Sequence, residues 1–325
     1  MIPSSAPVDR HGRRIEYLRI SLTGRCNLRC VYCRPAQDQE PGADALTAED
    51  VLNVAQAATS LGIRRVRLTG GEPLLRSDLE EIVTGIAALP GLSDLSVTTN
   101  GQGLAERAAG LAAAGLRRVN ISLDSLVPET YAALTGGGDL ASARKGMEAA
   151  LRAGLEPVKV NVVLAGRRAL EPGELQAFAD LVQERPVHVR FIEVMPGCGD
   201  AGYLPAQEAL ERLGEGHYLE PVAGPEGGGP ASYYRLDRSS GTIGVIAPIS
   251  DPFCGRCNRL RVNARGELMP CLFSHEKLAL IPALRGADPV SSAAALIRCA
   301  LAKKPARYGD VADALGLRAM HVIGG

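Results

Sequence analysis

Cys26-Asn27-Leu28-Arg29-Cys30-Val31-Tyr32-Cys33 is the stretch on which the reading of this chain turns. Three thiolates on one short loop can hold three corners of an iron–sulfur cube, whereas a fully protein-ligated cube needs four. No further cysteine lies close in sequence, so one iron is left open to a ligand from outside the protein. Zinc is the rival reading, but a structural zinc site also takes four ligands. No histidine follows the loop within a dozen residues.

To either side of this loop the chain alternates short β-type runs with longer helical patterns. Strands are expected near 17–22, 63–69, 94–99, 118–123, 157–164 and 187–194. Helices are expected at 47–61, 77–88, 102–114, 139–153 and 172–184, the first capped by Thr47 with Asp50 at its third position. Such β/α units imply parallel strands with right-handed crossovers and so an α/β barrel, incomplete at six units instead of eight.

Strand alternation sharpens this. Arg19 and Ser21 share a face, as do Arg65, Arg67 and Thr69; Ser96, Thr98 and Asn100; Asn120, Ser122 and Asp124; and Lys159 with Asn161. The opposite faces are aliphatic, as covering helices require, so the polar face points into a lumen suited to a large polar ligand. The unusual motifs fall at the C-terminal ends of strands, where barrel enzymes place their sites. These are the cysteine loop, Gly70-Gly71-Glu72-Pro73, Thr98-Thr99-Asn100-Gly101, Ser122-Leu123-Asp124-Ser125 and Met195-Pro196-Gly197. The adjacent glycines are expected to let backbone approach a ligand.

The 325 residues suit one large α/β domain plus an appendage, and 46% hydrophobic content is enough for a sizeable core. The expected division is a frayed, flexible N-terminus over 1–14, a barrel over 15–220 and a C-terminal domain over 221–325. Pro221 to Pro230 reads as a flexible loop or linker. With no apolar run of spanning length and no leader, a soluble cytoplasmic protein is expected, with no membrane partner. Lys+Arg and Asp+Glu balance at 36 each, which argues against nucleic acid. The eight cysteines are expected to be metal ligands or free thiols, Cys198 and Cys299 being buried thiols without a role.

Cys254, Cys257 and Cys271 form a second set of three. Zinc completed by His275 competes with a second cluster here. Arg259 and Arg261 follow on alternate positions of a strand, and an open iron beside two guanidinium groups suits an anionic ligand with a Lewis-basic end.

The first loop resembles the radical S-adenosylmethionine (SAM) signature, and nearly the whole chain resembles the GTP 3′,8-cyclase family of molybdenum cofactor biosynthesis. The resemblance rests on the segment from Arg19 to Cys33, the strand-end motifs above and Arg190-Phe191-Ile192-Glu193-Val194-Met195. It rests also on Cys254-x2-Cys257-Asn258-Arg259-Leu260-Arg261 with Cys271, and on the terminal Gly324-Gly325. It implies an incomplete (β/α)6 radical SAM barrel whose lumen is closed by a small C-terminal iron–sulfur domain. It implies two 4Fe–4S clusters, on Cys26, Cys30 and Cys33 and on Cys254, Cys257 and Cys271. SAM contacts would come from Tyr32, Gly71, Ser122 and Met195, and GTP contacts from Arg19, Arg67, Thr98, Lys159, Arg259, Leu260 and Arg261. Arg259, Arg261 and the side-chain-free tail Gly324 and Gly325 would take catalytic roles. A radical made from SAM would remove hydrogen from C3′ of GTP, and C3′ would bond to C8 while the second cluster holds the guanine. The implied partners are an electron donor such as flavodoxin and cyclic pyranopterin monophosphate synthase, which takes the product; a homodimer is left open. A radical SAM peptide-modifying maturase is the alternative enzyme, and a ubiquitin-like carrier ending in Gly-Gly the alternative of another class.

Overall fold

A computed structural model describes residues 6–33, 46–195 and 203–311. The first half is a strict alternation: β1 (Tyr17–Ser21), α1 (Ala48–Ser60), β2 (Arg65–Thr69), α2 (Leu79–Ala87), β3 (Asp94–Thr99), α3 (Leu104–Ala113) and β4 (Arg118–Ser122). It continues through α4 (Pro128–Thr135), α5 (Leu140–Arg152), β5 (Val158–Val163), α6 (Pro172–Glu184) and β6 (Val187–Ile192). Each expected strand and helix is present with its ends shifted by a few residues, and α4 was not expected. Thr47 does cap α1: its hydroxyl accepts from Asp50 N (3.1 Å) and Asp50 accepts from Thr47 N (3.0 Å). This reciprocal box contributes about 1 kcal/mol to the helix.

Strands β1 to β6 are neighbours in chain order and all parallel. Their aliphatic faces, including Leu18, Ile20, Val66, Leu68, Val97, Ile121, Val160 and Val189, are fully buried. Each such side chain contributes roughly 1.5–3 kcal/mol of burial. This is why the helices lie on that side and the polar residues turn the other way.

The C-terminal half behaves differently from an appendage. It runs α7 (Ala206–Gly214), β7 (Leu219–Val222), β8 (Ser232–Leu236), β9 (Thr242–Ile246), β10 (Arg259–Val262), β11 (Glu267–Met269), β12 (Leu278–Ala279), α8 (Ile281–Leu284) and α9 (Pro289–Lys303). β9 adds in parallel beside β6, and β10 adds in parallel beside β1. The full order is β12-β11-β10-β1-β2-β3-β4-β5-β6-β9-β8-β7, so residues after 221 extend both edges of the first sheet. Helix α9 packs on α1.

Two segments read as loose are tied down. From residue 6 the N-terminus is ordered: Val8 bridges to Arg14, and Asp9 and Arg13 are buried as an ion pair of 2.7 Å. The supposed linker from Pro221 begins inside β7, and its glycine-rich part crosses the N-terminal ends of the strands. There Pro225 and Glu226 give carbonyls to Lys159 (Glu226 O at 2.7 Å) and Gly227 gives one to Arg118. Buried cations that need acceptors fix this loop despite its composition. Cys299 is exposed, against the expectation of a buried thiol, because it lies on the solvent side of α9. Cys198 and the Gly324-Gly325 tail lie outside the described residues.

Candidate active site

The first cysteine loop leaves the C-terminal end of β1 and is knitted to the ends of the next strands. Glu72 N donates to Arg25 O (2.8 Å), and the buried Glu72 carboxylate accepts from Leu74 N, Thr99 Oγ1 (2.7 Å) and Asn100 N (2.7 Å). Burial raises the Glu72 carboxyl to about 7 despite those donors. Asn100 Nδ2 then donates to Asn27 Oδ1 at 2.8 Å, inside the cysteine loop itself. Tyr32 donates its phenol to Asp124 (2.6 Å), which also accepts from Val163 N on β5. Arg29 N and Val31 N donate to Thr135 O and Leu134 O at the end of α4, the helix not foreseen in the sequence. Gly71 lies against the backbone of the cysteine loop: a Cβ there would stand 2.1 Å from Arg25 O. The glycine pair is needed to dock one loop on another.

Cys26, Cys30 and Cys33 are half-buried on this loop and form no disulfide. Burial, then the charges of Asp124, Cys33 and Cys26, push the Cys30 thiol well up. Three thiolates so placed need a cation among them, and an iron–sulfur core fits that requirement. Leu28 N points at Cys26 Sγ (3.4 Å), the N–H to sulfur contact that such ligands accept.

The second set stands at the other end of the strands. Cys254 and Cys257 precede β10, whose Arg259 and Arg261 pair in register with Tyr17 and Arg19 of β1. The two sets therefore lie off opposite ends of β1, a strand about 17 Å long at the usual rise per residue. One cavity occupies the space beside the second set, lined by Arg19, Arg65, Arg67, Asn161, Arg190, Met195, Gly227 to Gly229, Cys254, Cys257, Arg259, Arg261, Cys271 and Lys304. Met195 and Tyr32 pack in one small apolar cluster with Val163, Ala165 and Val194, which connects this cavity to the first loop.

The cavity is strongly basic. Burial, then their neighbours' charges, hold Arg67 and Arg261 down at about 10, and Lys159 falls to about 6 through burial, Arg190, Arg118 and Arg67. Arg118 is paired with Asp94. Arg190 donates to Asn120 (2.9 Å) and Asn161 on the strands beside it. Thr98 Oγ1 is buried and finds no hydrogen-bond partner among the described residues. Mutually repelling cations around the cavity suit a polyanionic ligand.

Cys254, Cys257 and Cys271 are free. Burial alone would raise Cys257, but Lys304, Arg259, a backbone N–H and Arg261 outweigh it and bring the thiol to about 7. Among the described residues, no three Cys, His, Asp or Glu side chains converge as they would around a single ion. A cube, in which each thiolate takes its own iron, spreads them wider.

Of the sequence-derived residues, the cavity gathers Arg19, Arg67, Met195, Arg259, Arg261, Cys254, Cys257 and Cys271. Tyr32, Cys26, Cys30 and Cys33 lie on the neighbouring loop, Gly71 packs against it after β2, and Ser122 ends β4. Thr98 and Lys159 face the lumen but do not line the cavity, Lys159 being capped by the glycine-rich loop. Leu260 points the opposite way, fully buried in the core by alternation on β10. Arg190 and Arg65 extend the basic wall, and the alternation on β6 and β2 carries the signal for both. Lys304, in a helix-end stretch with no such pattern, could not have been found that way.

A cluster-type cysteine loop at the C-terminal end of a parallel α/β sheet defines a radical SAM protein. Residues 20–178 match the radical SAM superfamily, and residues 187–310 match the family described as Molybdenum Cofactor Synthesis C. The GTP 3′,8-cyclase of Pelotomaculum thermopropionicum is 45% identical over 98% of this chain and 99% of its own length. That of Moorella thermoacetica is 43% identical over the same shares. The chain belongs to the GTP 3′,8-cyclase family. The solved structure of Streptococcus suis SuiB bound to its precursor peptide SuiA shares the fold, with a TM-score of 0.62 at 14% identity, over 89% of this chain and 68% of that one. SuiB bound to S-adenosylmethionine superposes with a TM-score of 0.58, over 87% of this chain and 68% of that one. No helix among the described residues is long and apolar enough to cross a membrane.

Proposed function

We propose that this chain converts GTP to (8S)-3′,8-cyclo-7,8-dihydroguanosine 5′-triphosphate, the first step of molybdenum cofactor biosynthesis, as a radical SAM enzyme with two 4Fe–4S clusters. The observation that carries this is the arginine-lined cavity beside the second of two sets of three cysteines that form no disulfide. A peptide substrate, the alternative, would not call for so many buried cations. When bound, SAM at the first cluster supplies an electron-driven source of a hydrogen-abstracting carbon radical.

The chain's own residues do the rest. Cys26, Cys30 and Cys33 would hold the first cluster, and Tyr32, Gly71, Ser122 and Met195 would frame SAM at the strand ends. Cys254, Cys257 and Cys271 would hold the second cluster and leave an iron for the guanine. Arg19, Arg67, Arg259 and Arg261 would clamp the triphosphate, with Thr98 and Lys159 completing the lumen face and Leu260 fixing β10 from the core side. So held, the ribose would be presented toward the first loop. Positioning and exclusion of water are the protein's main contributions. The sheet is read as an incomplete (β/α)6 barrel over 15–220, with residues 221–325 closing its lumen and Gly324 and Gly325 entering it. A cytoplasmic setting, a flavodoxin-type electron donor, a homodimer and transfer of product to cyclic pyranopterin monophosphate synthase complete the proposal.

The test is SAM cleavage by the anaerobic enzyme with GTP or with peptides, with the product followed by mass spectrometry. GTP-dependent cyclised product supports the proposal; peptide-dependent cleavage overturns it. Arg259→Ala and Arg261→Ala each remove charge-assisted bonds of roughly 1.5–3 kcal/mol, so each is expected to weaken GTP binding by about 10- to 100-fold. Guanosine binding should be little affected; equal losses for guanosine and GTP would assign these arginines another role.

A further inference from the structure

Two buried cations from opposite ends of the chain meet behind the second cysteine set. Lys304, just past α9, is 2% exposed and donates Nζ to Arg259 O (2.7 Å) and Pro270 O (2.8 Å). Those carbonyls lie two residues after Cys257 and one before Cys271. Arg13, in the N-terminal turn, donates Nη1 to Cys254 O (2.8 Å). The same guanidinium donates to Pro305 O (2.7 Å) and Ala306 O (3.1 Å), and the His11 ring lies 3.1 Å from Lys304 O. A carbonyl at or near each of the three cysteines is thus held by one interlocked pair of cations.

Their charges are balanced differently. Asp9 neutralises Arg13 at 2.7 Å. Lys304 forms no ion pair with a carboxylate among the described residues, and a buried charge without a partner is costly by several kcal/mol. Lys304 lines the same cavity as Cys257 and Cys271. Three thiolates outnumber the charge of an oxidised four-iron core, so a cluster on this set is anionic and supplies the missing countercharge.

We propose that Arg13 and Lys304 are positioning residues that preassemble the Cys254, Cys257 and Cys271 set, and that the Lys304 ammonium raises the reduction potential of the cluster held there. The inference rests on reading this set as a cluster site. Reduction adds negative charge, which a nearby ammonium favours, so removing that charge lowers the potential.

The experiment uses the full-length holoenzyme reconstituted without oxygen, as wild type, Lys304→Met, Lys304→Arg and Arg13→Lys. Wild type should hold about eight irons, of which the SAM-shifted electron paramagnetic resonance signal marks the first cluster. In Lys304→Met that signal should persist, showing an intact fold. The second cluster should show a lowered midpoint potential and lose iron to a chelator at least about tenfold faster, equivalent to roughly 1.4 kcal/mol. Lys304→Arg should restore the potential. Arg13→Lys should speed iron loss and leave the potential near that of wild type. An unchanged potential in Lys304→Met, whatever the chelation rate, would overturn the proposal. Loss of the SAM-shifted signal as well would assign it a general folding role, which also overturns it. A wild type with only about four irons would refute the second cluster and this inference together.

Discussion

Lys159 shows how much of the site is decided by neighbours. On paper it is a lysine in an apolar strand; in the fold it sits among Arg190, Arg118 and Arg67, with His188 beside it, and its pKa falls to about 6. A base whose folded pKa lies below its unfolded value of 10.5 binds fewer protons when folded between those limits. Its contribution to stability therefore rises with pH from about 6 to 10.5, the reverse of a salt-bridged lysine. A bound triphosphate reverses the local field and favours the ammonium, so GTP binding should take up a proton and weaken as pH rises above about 6. Titration calorimetry near neutral pH in buffers of different ionisation enthalpy should detect that proton. Lys159→Met should abolish the uptake. If the variant and wild type took up the same number, the proton would be going elsewhere, and His188, lowered to about 4, is the next group to test.

Among the elements, the loops at the strand ends behave as one unit. Glu72, Asn100 and Asp124 tie the cysteine loop to β2, β3 and β4, and none of them carries the redox chemistry. Gly71 is the tightest joint. An added methyl would sit 2.1 Å from Arg25 O and 2.6 Å from Arg25 C, backbone atoms that no rotamer change relieves. Gly71→Ala is thus expected to displace the Cys26–Cys33 loop and cost several-fold to complete loss of the first cluster, with the second retained. Iron content and the SAM-shifted resonance signal measure this directly. Retention of both clusters would show that the loop can shift as a body. The motif was visible in the sequence, but its packing against Arg25 was not, since a glycine pair looks the same whether or not another loop docks on it.

For the molecule as a whole, the C-terminal third is structural as well as functional. β10 covers the edge of β1, β9 covers the edge of β6, and α9 packs on α1. A fragment of residues 1–220 would expose both edges and the α1 face, the condition that leads to aggregation. It is expected to be insoluble, or to lack the cooperative thermal transition of the full chain by circular dichroism. A stable, cooperatively folding fragment would show that the β/α units suffice alone. Neither pairing was legible in the sequence, because β9 and β10 lie far along the chain from the strands they join, and local pattern carries no record of partners so distant.

What the sequence by itself determined was periodic or local. Alternation along β1 to β5 placed Arg19, Arg67, Thr98, Ser122 and Lys159 on one face, because a strand has only two faces and the aliphatic one must be covered. The spacing of Cys26, Cys30 and Cys33 settled the chemistry, because few cofactors accept three thiolates on one loop. Tertiary structure alone decided that Lys159 is capped by the Pro225 and Glu226 carbonyls while Arg259 and Arg261 line the cavity. It also turned the N-terminus into an ordered turn carrying Arg13, and brought Lys304 behind the second cysteine set. The physical reason is the same in each case: a buried donor must find an acceptor, and which acceptor lies nearby depends on chain segments that meet only after folding.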